Sequence, residues 1–225
     1  MSSILISIGT STLSVAIVAL IWKTAFGNQP VEDMFNRLSD YFPLFDKGIK
    51  DVYINQCNFP FDKIHFELQK SRNVFILTQY FKSFIQINDI HKSFRRCLSN
   101  GGEIQILIYG PARGDEKIKF LRSHFDSVNS VETSERYLED TVSALEAFRN
   151  SLPIKQKERF KFKLLKVNVI FVGMYGTDNF LWVTTLLNCK PGSSCPGFMI
   201  EKGNNEDKDL YSAFAEEFVG LWERN

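Results

Sequence analysis

The chain has 225 residues, with 27 Lys and Arg against 26 Asp and Glu and a formal net charge of +1. Apolar residues make up 44% and charged residues 24%, and 21 Phe stand against 7 Pro, so the chain can bury a core and is not a disordered polymer. The length excludes two full-sized enzyme domains, and the charge balance gives no bulk attraction to nucleic acid or acidic lipid, leaving only local patches.

Residues 1–22 carry no charged side chain, and Ile4 to Trp22 is a run of 19 residues. As a helix this run would be roughly 28 Å long, the thickness of a bilayer's hydrocarbon core. A secretory signal peptide would have a shorter apolar region, a basic stretch before it and a small-residue cleavage site after it. A buried core helix would need partners on every side. The expectation is one transmembrane helix, with Trp22 and Lys23 at the interface and the lipid bilayer as the first partner. Lys23 is the basic residue closest to the span, so the body is expected on the cytoplasmic side of the inner membrane. Ser7, Gly9, Thr10, Ser11, Thr12 and Ser14 make half of the span small and hydroxylated, a composition that allows close helix approach and points to a homo-oligomer.

After a GNQP breaker at 27–30, helical spacing is expected in Val31 to Tyr41, Phe61 to Ser71 and Ile87 to Leu98, the last ended by Gly101-Gly102. Apolar runs at 73–79 and 103–110 flank that last helix, which predicts a parallel strand-helix-strand unit and an α/β architecture. Further helices are expected around Ile118 to Val128 and from Val131 to Arg149, with Pro153 beyond the second. A β-rich section follows. Phe160, Phe162 and Leu164 alternate with Lys161 and Lys163, then 167–175 and 179–187 read as a hairpin about Gly176-Thr177-Asp178-Asn179. A short strand from Gly197 to Glu201 precedes a closing helix, Asp207 to Glu223.

Local candidates are few. Cys57, Cys97, Cys189 and Cys195 show no CxxC and no His at ligand spacing, so no metal and no cofactor is expected. Cys189 and Cys195 read as ordinary thiols, or as a pair if the domain lies outside the cytoplasm. The basic run Lys155, Lys157, Arg159, Lys161, Lys163 and Lys166 would either face phosphates of nucleic acid or of an anionic leaflet, or form a solvated strand whose lysines discourage edge pairing. His91, Arg95 and Arg96 lie where an α/β sheet often takes a ligand, although exposed helix charge explains them as well. Arg113, in the glycine-bracketed loop 110–114 after a strand, is a weak anion-binding candidate; the loop has neither Walker nor dinucleotide spacing.

The order of parts resembles the phospholipase D-like domain in its single-copy bacterial form, over roughly residues 60–223. The carriers are FDKIHFELQKSRNVFILTQYF, SFRRCLSNGGEIQILIYGPARGDE, the hairpin NVIFVGMYGTDNFLWVTTLL, and the ending PGFMIEKG to LYSAFAEEFVGLWERN with its Phe-x-x-x-Trp. The resemblance implies a phospholipase D-like mixed-sheet domain at 60–225, after a transmembrane segment at 1–26 and a linker with an amphipathic helix at 27–59. Catalysis in that family needs His-x-Lys-x4-Asp, in which the His attacks phosphorus, the Lys neutralises phosphoryl oxygens and the Asp supports the His. None of the 3 His here, His65, His91 and His124, has Lys two residues on, and where the family would place the motif this sequence has Val167 to Met174, apolar apart from Asn168 and Gly173. The resulting expectation is a membrane-anchored, non-enzymatic signalling or effector protein. The resemblance to modules of bacterial conflict systems implies antiviral defence, a protein partner encoded nearby and, weakly, nucleic acid or a nucleotide as ligand. The alternative is a membrane-tethered phosphodiesterase or phospholipase with an unrecognised site.

Overall fold

A computed structural model describes residues 48–54, 58–78, 90–109, 131–165, 172–185, 195–203 and 209–224, with backbone alone over 131–135. Arg113 and the residues expected to anchor and associate in the membrane (Ser7, Gly9, Thr10, Ser11, Ser14, Trp22, Lys23) lie outside the described residues, as do the expected helices at 31–41 and 118–128. Among the described residues, no helix is long and apolar enough to cross a membrane.

The described strands are β1 (Ile49–Tyr53), β2 (Asn73–Thr78), β3 (Glu103–Tyr109), β4 (Phe160–Leu165), β5 (Val172–Gly176), β6 (Phe180–Thr185) and β7 (Gly197–Glu201). They form one open mixed sheet in the order β1-β7-β6-β5-β2-β3-β4. The helices are α1 (Phe61–Lys70), α2 (Ile90–Ser99), α3 (Val131–Asn150), the single turn α4 (Ile154–Lys157) and α5 (Leu210–Arg224). The fold is mixed α/β. β2, β3 and β4 run parallel, and every other neighbouring pair is antiparallel. Ile49–Tyr53, which falls in the expected linker 27–59, is instead an edge strand paired with β7 inside the compact unit Gly48–Asn225.

Strand alternation divides the core in two. Val74, Ile76, Ile104, Ile106, Phe160, Tyr175, Trp182 and Met199 point to a first face, where Ile64 and Leu68 of α1, Phe94 and Leu98 of α2, and Leu145 and Phe148 of α3 cover them. Leu77, Leu107, Leu165, Met174, Leu181, Val183 and Ile200 point to the second face under Phe218 and Leu221 of α5. Burying one such side chain contributes about 1.5–3 kcal/mol, so this double cover, not local propensity, holds the sheet. α2 ends where Gly101 turns to φ 92°, allowing the N–H groups of Gly101 and Gly102 to reach the carbonyls of Leu98 and Cys97.

Cross-strand register fixes what lies at the end of the first face. Ile108 sits beside Thr78, Gly173 beside Thr184, and Thr184 beside Gly197. A Cβ at Gly197 would lie 2.5 Å from the Phe59 ring and 2.6 Å from the Val183 carbonyl oxygen, whereas at Gly173 it would meet only the Leu77 carbonyl oxygen, at 3.6 Å. Gly197→Ala is therefore expected to cost about 1–3 kcal/mol by overpacking, and Gly173→Ala to stay within about 0.5 kcal/mol. Urea unfolding of the two variants checks the difference; equal effects would contradict the register.

Candidate functional site

One edge of the sheet collects the carboxyl ends of β2, β3 and β4, the amino end of β5, the carboxyl end of β6 and the amino end of β7. Open α/β sheets take ligands at the carboxyl ends of their parallel strands, so this edge is the place to look for chemistry. Its last row on the first face changes character. The preceding row is bulky, with Ile106, Ile76, Tyr175, Trp182 and Met199, while the last is Thr78, Gly173 and Thr184 between Ile108 and Gly197. Thr184 is 2% exposed and its Oγ1 has no hydrogen-bond partner, nor has the indole N–H of Trp182, two residues earlier on the same face. Thr185, on the other face, donates to the Pro196 carbonyl at 3.0 Å. This row offers hydroxyls and a gap over glycine, and no titratable side chain. It can accept or donate hydrogen bonds to a bound group.

The histidines do different work. His65 Nδ1 and Ser93 Oγ share a hydrogen bond at 2.9 Å between α1 and α2. His91, half-buried in the first turn of α2, stacks on Phe148 with ring centroids 4.8 Å apart. Arg95 lies 5.2 Å above the same ring and donates to Ser151 Oγ at 2.7 Å. Arg96 is exposed on the same helix. Thus His91 and Arg95 converge on Phe148, at the end of α3.

Lys161 and Lys163 point to the second face and do not join that group. Lys161 pairs with Glu103 at 2.7 Å. Burial works against the charge on Glu103, but hydrogen bonds from Lys161 and Gln105 outweigh it and hold the carboxyl below its ordinary range. Lys163 Nζ donates to the Trp222 carbonyl oxygen at 2.8 Å and lies 4.6 Å over the Trp222 ring. A cation at the last carbonyls of α5 satisfies acceptors that the helix leaves open. The basic strand is thus split: it stands at the sheet edge, but its two central lysines are tied to a carboxylate and a helix end.

Two acids serve as clamps at the opposite edge. Asp178, in the β5–β6 turn, accepts from the backbone N–H of Arg72 at 2.6 Å and of Asn73 at 3.1 Å, fixing the hairpin to the start of β2. Asp209 caps α5 by accepting from Ser212 N–H at 2.7 Å, and also accepts from Gly203 N–H. Tyr211 donates its hydroxyl to the Thr177 carbonyl, and burial, with Asp178 and Asp209 nearby, pushes its pKa up to about 12. Cys97 and Cys195 are buried and in no disulfide; burial raises the Cys97 thiol to about 11, unsuited to nucleophilic use. No group of three metal-ligating side chains occurs among the described residues.

The sequence reading missed Thr78, Gly173, Thr184 and the buried carboxylate of Glu67. Glu67 Oε1 takes Lys70 at 2.9 Å while Oε2 has no hydrogen-bond partner. Its signal was present: Ile64, Glu67 and Leu68 fall at helical i, i+3, i+4 spacing on one inward stripe.

No protein-family model and no curated protein matches this chain. Among solved structures, it is similar to TrmBL2, an archaeal chromatin protein whose structure shows a novel mode of DNA binding, with 12% identity and a TM-score of 0.42 over 96% of this chain and 66% of that one. It is also similar to the phosphatidylserine synthase of Haemophilus influenzae Rd KW20, with 11% identity and a TM-score of 0.48 over 94% of this chain and 52% of that one. The chain spans about two thirds and about half of these proteins, and both TM-scores are too low to assign it to either fold.

Asp209 gives the site's framework a pH dependence. Burial opposes its charge, but the bonds from Ser212 and Gly203, with Lys202 nearby, prevail and depress its pKa. A depressed folded-state value means that the stabilisation is full above the ordinary carboxylate range and is lost as pH falls through the folded value. Asp209→Ala should cost about 1 kcal/mol at neutral pH. The gap in urea midpoint between wild type and this variant should narrow on acidification, and a gap that widens toward acid would refute the cap.

Proposed function

We propose that this protein is a membrane-anchored, non-enzymatic signalling or effector protein whose body is a phospholipase D-like domain without that family's nucleophile. The N-terminal span holds it in the inner membrane with the body in the cytoplasm, and copies associate through the small, hydroxylated half of that span, Ser7, Gly9, Thr10, Ser11 and Ser14. The body receives a partner or ligand at the carboxyl edge of its sheet, and antiviral defence is the setting implied by the resemblance. Three features support the domain reading: the parallel β2-α2-β3 unit, the β5–β6 hairpin and the closing helix α5 occur in the order that the quoted segments suggest.

The observation that carries the non-enzymatic reading is the Thr78, Gly173 and Thr184 row. At the ligand-taking edge, where a phosphoryl-transfer site would need an imidazole and an ammonium, the described side chains are hydroxyls and a glycine. His65 and His91 are engaged with Ser93 and Phe148 between helices. Purified full-length chain should give no turnover of phospholipid, DNA or bis-p-nitrophenyl phosphate. Turnover that disappears in His91→Ala or His124→Ala would restore the enzyme reading. If the effect on cells comes from helix association, Gly9→Leu and Ser11→Leu should abolish membrane depolarisation without reducing membrane retention; interhelical hydroxyl contacts of about 0.6 kcal/mol each make several copies necessary. Full activity with a scrambled Leu/Val span of equal length would contradict that part.

A further inference from the structure

We propose that the surface formed by α2, the α3–α4 turn and α4 docks on an anionic lipid headgroup layer, with Ile154 entering the interface. Two groups of cations far apart in sequence meet here. α2 carries Lys92, Arg95 and Arg96, all exposed and within one helical turn, and has no acidic residue along its length. The second group is Lys155, Lys157 and Arg159, with Glu158 the only acid between Ser151 and Leu165.

Hydrogen bonds join the groups into one surface. Arg95 donates to Ser151 Oγ at 2.7 Å, Gln156 Nε2 to Ser99 Oγ at 3.4 Å, and Arg159 Nη1 to the Gly102 carbonyl at 3.0 Å. Arg159 Nε also donates to the Lys155 carbonyl at 3.2 Å. At the start of α4, directly after Pro153, stands Ile154, which is 78% exposed. It exceeds every other exposed large apolar side chain among the described residues; the next, Phe66, is 61% exposed and lies under Lys70 on α1.

The isoleucine selects the partner. Cations alone suit any phosphate-rich surface, but a bare aliphatic side chain gains nothing from a nucleic acid backbone and gains from entering the acyl boundary of a bilayer. Lys161 and Lys163 do not contribute, because they point to the second face and are held by Glu103 and the end of α5. The inference does not depend on residues 4–22 spanning a membrane: it concerns how the body lies against lipid.

The test uses the full chain in nanodiscs of phosphatidylcholine alone and of phosphatidylcholine with phosphatidylglycerol, digested by trypsin. Cleavage after Lys155 and Lys157, followed by mass spectrometry, should be at least about fivefold slower on the anionic discs, and high salt should remove the difference. Ile154→Glu and the charge-reversed Arg95→Glu/Arg96→Glu chain, both altered only at exposed positions, should be cut equally fast on both discs. Equal rates for the wild type, or protection conferred by a DNA duplex and not by anionic lipid, would overturn the proposal. Retention in both kinds of disc reports the anchor separately. If the chain enters neither, the anchor fails, and co-sedimentation with vesicles of the two compositions then reads docking alone: binding to the anionic vesicles supports it, and binding to neither or to both equally overturns it.

Discussion

A sheet whose central strands β2, β5 and β6 have two apolar faces must be covered twice. The first face takes α1, α2 and α3 through Ile64, Leu68, Phe94, Leu98, Leu145 and Phe148, and the second takes α5 through Phe218 and Leu221. Each buried large side chain contributes about 1.5–3 kcal/mol, so the named residues of the first layer together match the whole stability of an ordinary domain, about 5–15 kcal/mol, and those of the second supply a substantial part of it. The polar clamps follow from this cover. Asp178 fixes the hairpin to β2, Asp209 starts α5 where it can reach the second face, and Lys163 closes its far end. Each contributes on the order of 1 kcal/mol, enough to position a layer already held by burial.

The same constraint shapes the candidate site. Covered faces leave the strand ends as the place where backbone and small side chains can meet a ligand. There the first face runs from Ile76, Tyr175 and Trp182 to Thr78, Gly173 and Thr184, and Thr184 keeps an unpartnered buried hydroxyl. A buried polar atom without a partner is costly, on the order of 1–3 kcal/mol. A bound group that hydrogen-bonds it would recover that cost. This arrangement suits a bound group that exchanges hydrogen bonds with the row, and the proposed binding role starts from it.

Helix and strand positions were largely legible because apolar periodicity reports burial directly. The inward stripe of α2 and the alternation of Phe160 and Phe162 with Lys161 and Lys163 both correspond to observed faces. β1 escaped because an edge strand of five residues, IKDVY, carries Lys50 and Asp51 and buries little. Alternation placed Lys161 and Lys163 together, but no local pattern could show that the end of α5, 59 residues beyond Lys163, covers that face. Asp178 read as a turn residue; its bonds to Arg72 and Asn73 span 106 and 105 positions. The Thr78, Gly173 and Thr184 row was hidden for the same reason, since register between strands is a long-range property. His91 and Arg95 were singled out for a ligand, and tertiary packing gives both an aromatic neighbour, Phe148, from a distant helix.

The central claim, that the body binds and does not cut phosphodiesters, is tested most directly at the covalent step. Attack by a histidine nitrogen on the phosphorus of a phosphodiester breaks one P–O ester bond, releases that oxygen with a proton as an alcohol, and leaves the rest of the diester on the chain as a phosphoramidate. Intact-mass measurement of full-length protein quenched in alkali during incubation with phospholipid or DNA should show only the unmodified mass. A phosphatidyl or nucleotidyl adduct mapped to His65, His91 or His124 would contradict the account.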